Sequence, residues 1–194
     1  RSFLFGFAIP FTHTGARATY PWSDKLSTTL GVSNGWDLVD DTNKAKTVEL
    51  SVSAVPIEGV SLGSTYMFGA EQTQGDNTNH RHLLALVLGW QPIEALQLKL
   101  NYDYGLEDDG ASAPTAAAGS DVHDDAVWHG LAGYARYALT EKAAVAVRGE
   151  YMNDADGVRT AFTSGINGVT DDDIKLYELT LTGEYKLHDH LLVG

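Results

Sequence analysis

Cysteine is absent from all 194 residues. Disulfide frameworks, thiol nucleophiles and cysteine-ligated zinc are thereby excluded. Long hydrophobic runs are missing too, since no stretch approaches the ~20 apolar residues that a membrane-spanning helix needs. Basic residues are scarce: 13 Lys and Arg stand against 26 Asp and Glu, for a net charge of −13. So acidic a chain is no partner for nucleic acid, whose phosphates call for clustered Lys and Arg. Nor does the sequence contain a nucleophile elbow, an HExxH pair or a phosphate loop.

What the chain does have is a rhythm of connections. Tight polar turns fall at Ser23-Asp24-Lys25, Pro56-Ile57-Glu58-Gly59, Pro92-Ile93-Glu94-Ala95, Thr140-Glu141-Lys142 and His188-Asp189-His190. Long connections alternate with them, near residues 37–46, 71–80, 107–124 and 154–173. A soluble sandwich has no physical reason to make every second connection short. A membrane β-barrel does, because its turns on one side of the membrane are short and its loops on the other are long.

Between the connections, polarity alternates with period two. The clearest case is 96–106. Leu96, Leu98, Leu100, Tyr102, Tyr104 and Leu106 share one face, while Gln97, Lys99, Asn101, Asp103 and Gly105 share the other. Similar alternation predicts strands over 11–22, 26–36, 47–56, 60–71, 143–152 and 175–187. Residues 81–91 and 125–139 are apolar on both faces, which suits packing against a loop folded inward or against a neighbouring subunit. These are nine strands, with a further piece expected at each end. No comparable helical period appears, so no helix is assigned. Strands of 10–14 residues exceed the ~5–6 usual in globular proteins and match the ~9–11 of a tilted membrane strand. The expected fold is therefore all-β, an antiparallel transmembrane β-barrel.

Two sets of residues follow from the face assignment. The polar faces carry Arg17, Glu49, Lys99, Asp103, Arg136, Arg148, Glu150, Glu178, Glu184 and Lys186. In a closed barrel these line a wet lumen, where water solvates their charges. On an ordinary half-exposed sheet the same residues are solvent-side charges. Near the strand ends stand Trp22, Trp36, Trp90, Tyr104, Tyr137, Tyr151, Tyr177 and Tyr185, as two interfacial aromatic girdles require. The plainer reading of these aromatics is strand preference.

Other constellations are weaker. Glu107, Asp108, Asp109, Asp121, Asp124 and Asp125 make one long loop acidic, and Asp37, Asp40, Asp41 and Asp171-Asp172-Asp173 do the same for two others. None has the spacing of a calcium loop, and a negative mouth that enriches cations is the most they imply. His80-x-His82 and His188-x-His190 each place two imidazoles on one face. That spacing can ligate a metal, yet both pairs sit at strand ends, and no metal is assigned. Ser51, Ser53 and His129 are the residue types a barrel hydrolase uses, but nothing singles them out. The chain reads as a non-enzyme that needs no cofactor.

The stretch from Ser2 through Phe3-Leu4-Phe5-Gly6-Phe7-Ala8-Ile9-Pro10-Phe11 to Gly15 resembles the OmpL-like β-barrel porins of the porin-2 type. So do Leu30-Gly31-Val32-Ser33-Asn34-Gly35-Trp36-Asp37 and Asn43-Lys44-Ala45-Lys46-Thr47. The resemblance is closest over residues 1–50 and rests on strand rhythm beyond. It implies an outer-membrane pore of a Gram-negative envelope, with no active site to transfer. Members of that family are about twice this long. The sequence starts Arg1-Ser2-Phe3 and stops at Gly194 just after a turn. Residues 1–194 are thus expected to be one β-barrel domain truncated at both ends, its nine or ten strands part of a larger porin barrel. The function expected is passive diffusion of small hydrophilic solutes or ions; the alternative is a structural barrel in an envelope complex, and a third reading is a soluble all-β binding protein. Expected partners are outer-membrane lipid and those solutes, with a homotrimer as the assembly to look for.

Overall fold

The computed structural model describes residues 2–41, 43–72, 77–110, 125–160, 173–188 and 191–193. Ten strands form one antiparallel sheet in strict chain order. They are β1 (Gly15–Ser23), β2 (Leu26–Ser33), β3 (Thr47–Ala54), β4 (Val60–Ala70) and β5 (His80–Ile93). Then come β6 (Leu96–Glu107), β7 (Ala126–Ala138), β8 (Ala143–Asp154), β9 (Ile174–His188) and the short β10 (Leu191–Val193). Each strand pairs with its chain neighbours, and among the described residues β1 does not pair with β10, so the sheet is open.

Among the described residues, the four predicted tight turns after β1, β3, β5 and β7 lie at one end of the strands, and the chain leaves toward the long connections from the other end. The strand bounds differ from the expected ones mainly on the long-loop side. β1 begins at Gly15 rather than residue 11, and β2 stops at Ser33 rather than 36. Gly35 at φ 129° and Asp37 at φ 58° turn the chain out of the ladder there. Proline placement follows from its missing N–H. Pro21 sits on the edge strand β1, and the β5–β6 ladder skips Gln91 and Pro92.

The expectation of no helix fails at one place. Leu4–Ala8 forms a single π-type turn, and the Gly6 N–H donates to Ser2 O, ahead of the turn, at 3.0 Å. The piece expected as a strand at this end is therefore helical. Five residues are too few to show a period, so the sequence pattern was silent about it.

Pairing fixes which side chains share a face. Leu62, Leu88, Leu100 and Gly133 stand in one cross-strand row, and Gly63, Val87, Asn101 and Ala132 in the row beside it on the other face. No second layer covers the apolar face among the described residues. Leu100 is 44% exposed and Leu181 78%. The buried side chains gather on the polar face instead, around Leu4, Ala8, Trp36, Met67, Leu83, Trp128, Ala132 and Met152.

Candidate functional site: the polar face and its inner cover

All ten charged residues singled out in the sequence lie on the same face, because the register places each opposite another member of that face. Seven are joined by ion pairs. Arg17 crosses β2 at Gly31 and meets Glu49 on β3 at 2.5 Å. Arg136 crosses β8 over Ala144 and Ala146, which are short enough to let it pass. Its Nε and Nη2 donate to Glu184 Oε2 at 2.9 and 2.7 Å. Arg148 lies between two carboxylates, Glu150 at 3.0 Å and Glu178 at 2.8 Å. Asp103 is buried and accepts from Asn101 Nδ2 at 2.7 Å. Lys99 and Lys186 share the face, Lys186 in a shallow polar hollow with Glu94, Lys142 and Glu184.

Toward the long loops the face changes character, and here the sequence reading missed the principal residues. Arg81 Nη2 donates to both oxygens of Glu107, at 2.8 and 2.7 Å. Arg81 also lies 4.8 Å over the Trp36 ring, and Arg159 sits at the same distance from it. Arg159 is 5.4 Å from the Trp128 ring as well, and its Nε donates to Phe7 O at 2.8 Å. Burial, helped by the neighbouring Arg81, pushes Arg159 down to about 10. Asp154 caps the segment behind it, accepting from the backbone N–H groups of Arg159 and Thr160 at 2.9 and 2.8 Å. Glu107 was legible as a continuation of the polar period of β6, whereas Arg81 heads a strand that is apolar on both faces. Arg159 lies beyond the end of β8, where no period points to it.

The segment around the π turn lies on this part of the face. Leu4 and Ala8, four residues apart, are buried against β6 and β7. Trp128 Nε1 donates to Ala8 O at 3.0 Å, and the Phe3 N–H donates to Glu150 Oε2 at 2.7 Å. Two glycines make room. A Cβ at Gly130 would strike Leu4, and one at Gly105 would strike the Trp128 ring. Asp37 Oδ1 holds the far end, accepting from the N–H groups of Phe11 and Thr12 at 2.6 and 2.7 Å. Trp128 and Ala132 of β7 and Leu83 of β5 are thus covered by the chain itself, the inward-folding alternative of the two that the sequence allowed, whereas Val87 of β5 stays 42% exposed.

The predicted girdle residues divide. Trp22, Trp90, Tyr104, Tyr137, Tyr177 and Tyr185 are exposed on the apolar face, and Tyr151 is half-buried there. Trp36 is a correction. It is 7% exposed and meets Trp128 edge to face at 6.1 Å, on the polar side, because the chain bends inward after Ser33. His80 and His82 lie on the apolar face, where His80 stacks on Phe68 at 4.6 Å and the His82 ring is tilted against it at 5.0 Å. Ser51 and Ser53 share the polar face, with the Ser51 hydroxyl donating to Glu49 at 2.9 Å, whereas His129 lies on the apolar face. The structure therefore does not bring these hydrolase-type residues together. Asp121, Asp124, Asp171, Asp172, His190 and the side chain of His188 lie outside the described residues.

A family model described as "Putative beta-barrel porin-2, OmpL-like" matches residues 1–193. The chain belongs to this β-barrel porin family. The likeness seen in residues 1–50 thus extends over essentially the whole sequence, including the stretches where only strand rhythm was legible. No curated protein and no solved structure matches the chain.

Proposed function

We propose that this β-barrel porin sits in an outer membrane and forms a passive diffusion channel for small hydrophilic solutes or ions. One observation carries the reading. The sheet exposes its Leu, Val and aromatic face, and it buries or pairs most of its charges on the other. A contiguous exposed apolar face of this extent marks contact with a membrane or a partner. Lipid suits it, because aromatics stand at both margins of an aliphatic band. The ten charged residues then line the lumen, and the acidic long loops form a mouth that enriches cations.

The open edges fit a larger barrel. In lipid each unpaired backbone group costs several kcal/mol, so the β1 edge requires a partner strand. Porin barrels of 16–18 strands leave an aqueous channel, whereas ~8 strands fill with side chains. Envelope-scaffold function drew its support from apolar inward residues on β5 and β7. Leu83 of β5 and Trp128 and Ala132 of β7 already pack in one cluster with Leu4 and Ala8, which leaves less apolar surface there for a second protein. Reconstitution into planar bilayers tests the proposal. Discrete steps of ohmic current are expected, and a folded, inserted barrel that passes no current would overturn it.

A further inference from the structure

The segment Ser2–Thr14 is held on the polar face by more than its apolar contacts. Four hydrogen bonds fix its backbone at separate points: to Glu150, from Trp128, from Arg159 and to Asp37. Three of the four partners stand on or beside β7 and β8, while Asp37 follows β2 across the sheet. The anchors include a buried carboxylate and an arginine wedged between two indoles, arrangements that fix position rather than merely fill space. Leu4 and Ala8 face the sheet, whereas Phe5 is 58% exposed and meets Phe11 edge to face at 5.3 Å. A soluble domain gains nothing by showing two phenyl rings to water from a tethered turn. On the inner face of a channel the same rings project into the path of the solute.

We infer that Ser2–Thr14 is an internal constriction, which sets the narrowest width of the lumen and presents Phe5 and Phe11 as its apolar rim. Arg159 and Trp128 are the positioning residues that keep it against the wall. The inference rests on the porin reading and goes beyond it, since a diffusion pore needs no such segment. Its consequence is selectivity. Solutes with an apolar ring face pass or lodge at the phenyl pair, and bulky hydrophilic ones are excluded.

The chain's lack of cysteine allows a direct test. Phe5→Cys is reacted in an open channel with a charged methanethiosulfonate, and Leu181→Cys on the apolar face serves as the control. Labelling at position 5 is expected to cut unit conductance by half or more, and labelling at 181 to leave it unchanged. A second variant replaces residues 3–9 by a glycine-serine segment of equal length. Removing a turn ~10 Å across is expected to raise unit conductance roughly twofold. Channels that conduct normally but respond to neither change would overturn the constriction and leave the porin reading intact. A wild-type protein that folds and inserts without conducting would overturn both.

Discussion

Replacing Leu100 by arginine puts a guanidinium where the proposed topology has hydrocarbon. Leu100 is the fifth residue of β6, four beyond Leu96 at the short-turn end. At ~3.4 Å per residue and a tilt near 40°, that is about 10 Å along the membrane normal. The apolar band of such barrels is ~25 Å tall, so Leu100 lies close to its midplane. Arginine at that depth costs ~2–4 kcal/mol. This is a shift of roughly 30- to 700-fold in the folding equilibrium. Asn101→Arg, one residue along, turns to the opposite face, between Val87 and Ala132. It loses the hydrogen bond to Asp103, worth ~0.5–1.5 kcal/mol, but brings a cation to that buried carboxylate. Urea titration of the refolded protein in lipid vesicles, followed by tryptophan fluorescence, measures both. Leu100→Arg is expected to cost at least ~1 kcal/mol more than Asn101→Arg. Equal costs, or the reverse order, would refute the assignment of faces.

The same titration separates two tryptophans. Trp36→Ala empties a site between Trp128 and two arginines and is expected to cost ~3–5 kcal/mol, whereas Trp22→Ala, 62% exposed, is expected to cost markedly less. Arg148→Ala leaves Glu150, whose side chain is fully buried, and Glu178 without their shared cation. A loss of about 3 kcal/mol is expected, together with a reversal potential shifted toward cation selectivity; an unshifted reversal potential would place Arg148 away from the conduction path. His13 precedes β1, and burial, then the nearby Arg17, lowers its pKa from 6.5. A depressed base favours its neutral form in the folded state. Its contribution is therefore fully present above pH ~6.5 and is lost as pH falls through the lower folded value. His13→Asn should flatten that part of the stability profile below pH 6.5, and an identical profile in wild type and variant would exclude His13 as its source.

Strand position and facing were legible because they depend on short-range alternation. Lys99, Asn101 and Asp103 fall together whatever the rest of the fold does. Tight turns were legible for the same reason, since Pro56 through Gly59 and Pro92 through Ala95 carry their own turn chemistry. Which charges meet was not legible. Arg17 and Glu49 are 32 residues apart, and Arg136 and Glu184 are 48 apart, so their contact depends on a register set by loop lengths. The inward fold of the N-terminal segment left no periodic trace either. Its signature lies in Gly105 and Gly130, glycines inside good strands that a Cβ would turn into clashes. Trp36 was misplaced because nearness to a loop does not say whether the loop bends toward lipid or lumen.

The net charge of the chain and the neatness of its polar face have one physical origin. Carboxyl side chains such as Glu49, Asp103 and Glu150 are among the most buried, while leucines such as Leu179 and Leu181 are among the most exposed. Desolvating a carboxylate costs several kcal/mol unless a cation or donors replace its water. Arg17 supplies that replacement for Glu49 from across β2, Arg148 on the same strand does so for Glu150, and Asn101 does so in part for Asp103. Because four of the six arginines, Arg17, Arg81, Arg136 and Arg148, are engaged in ion pairs on this face, the excess acid is left to the loops. A sheet wet on its apolar side would gain nothing from that distribution. One with hydrocarbon outside and water inside gains twice, since its lumen wall becomes rigid and near-neutral while its mouth stays negative. The division of labour makes a further distinction measurable in principle by salt. Screening within ~8 Å at physiological ionic strength weakens the exposed acidic mouth far more than the paired wall. Cation preference should therefore fade with added salt while the unfolding midpoint scarcely moves, the opposite of what a charge-stabilised soluble sheet would show.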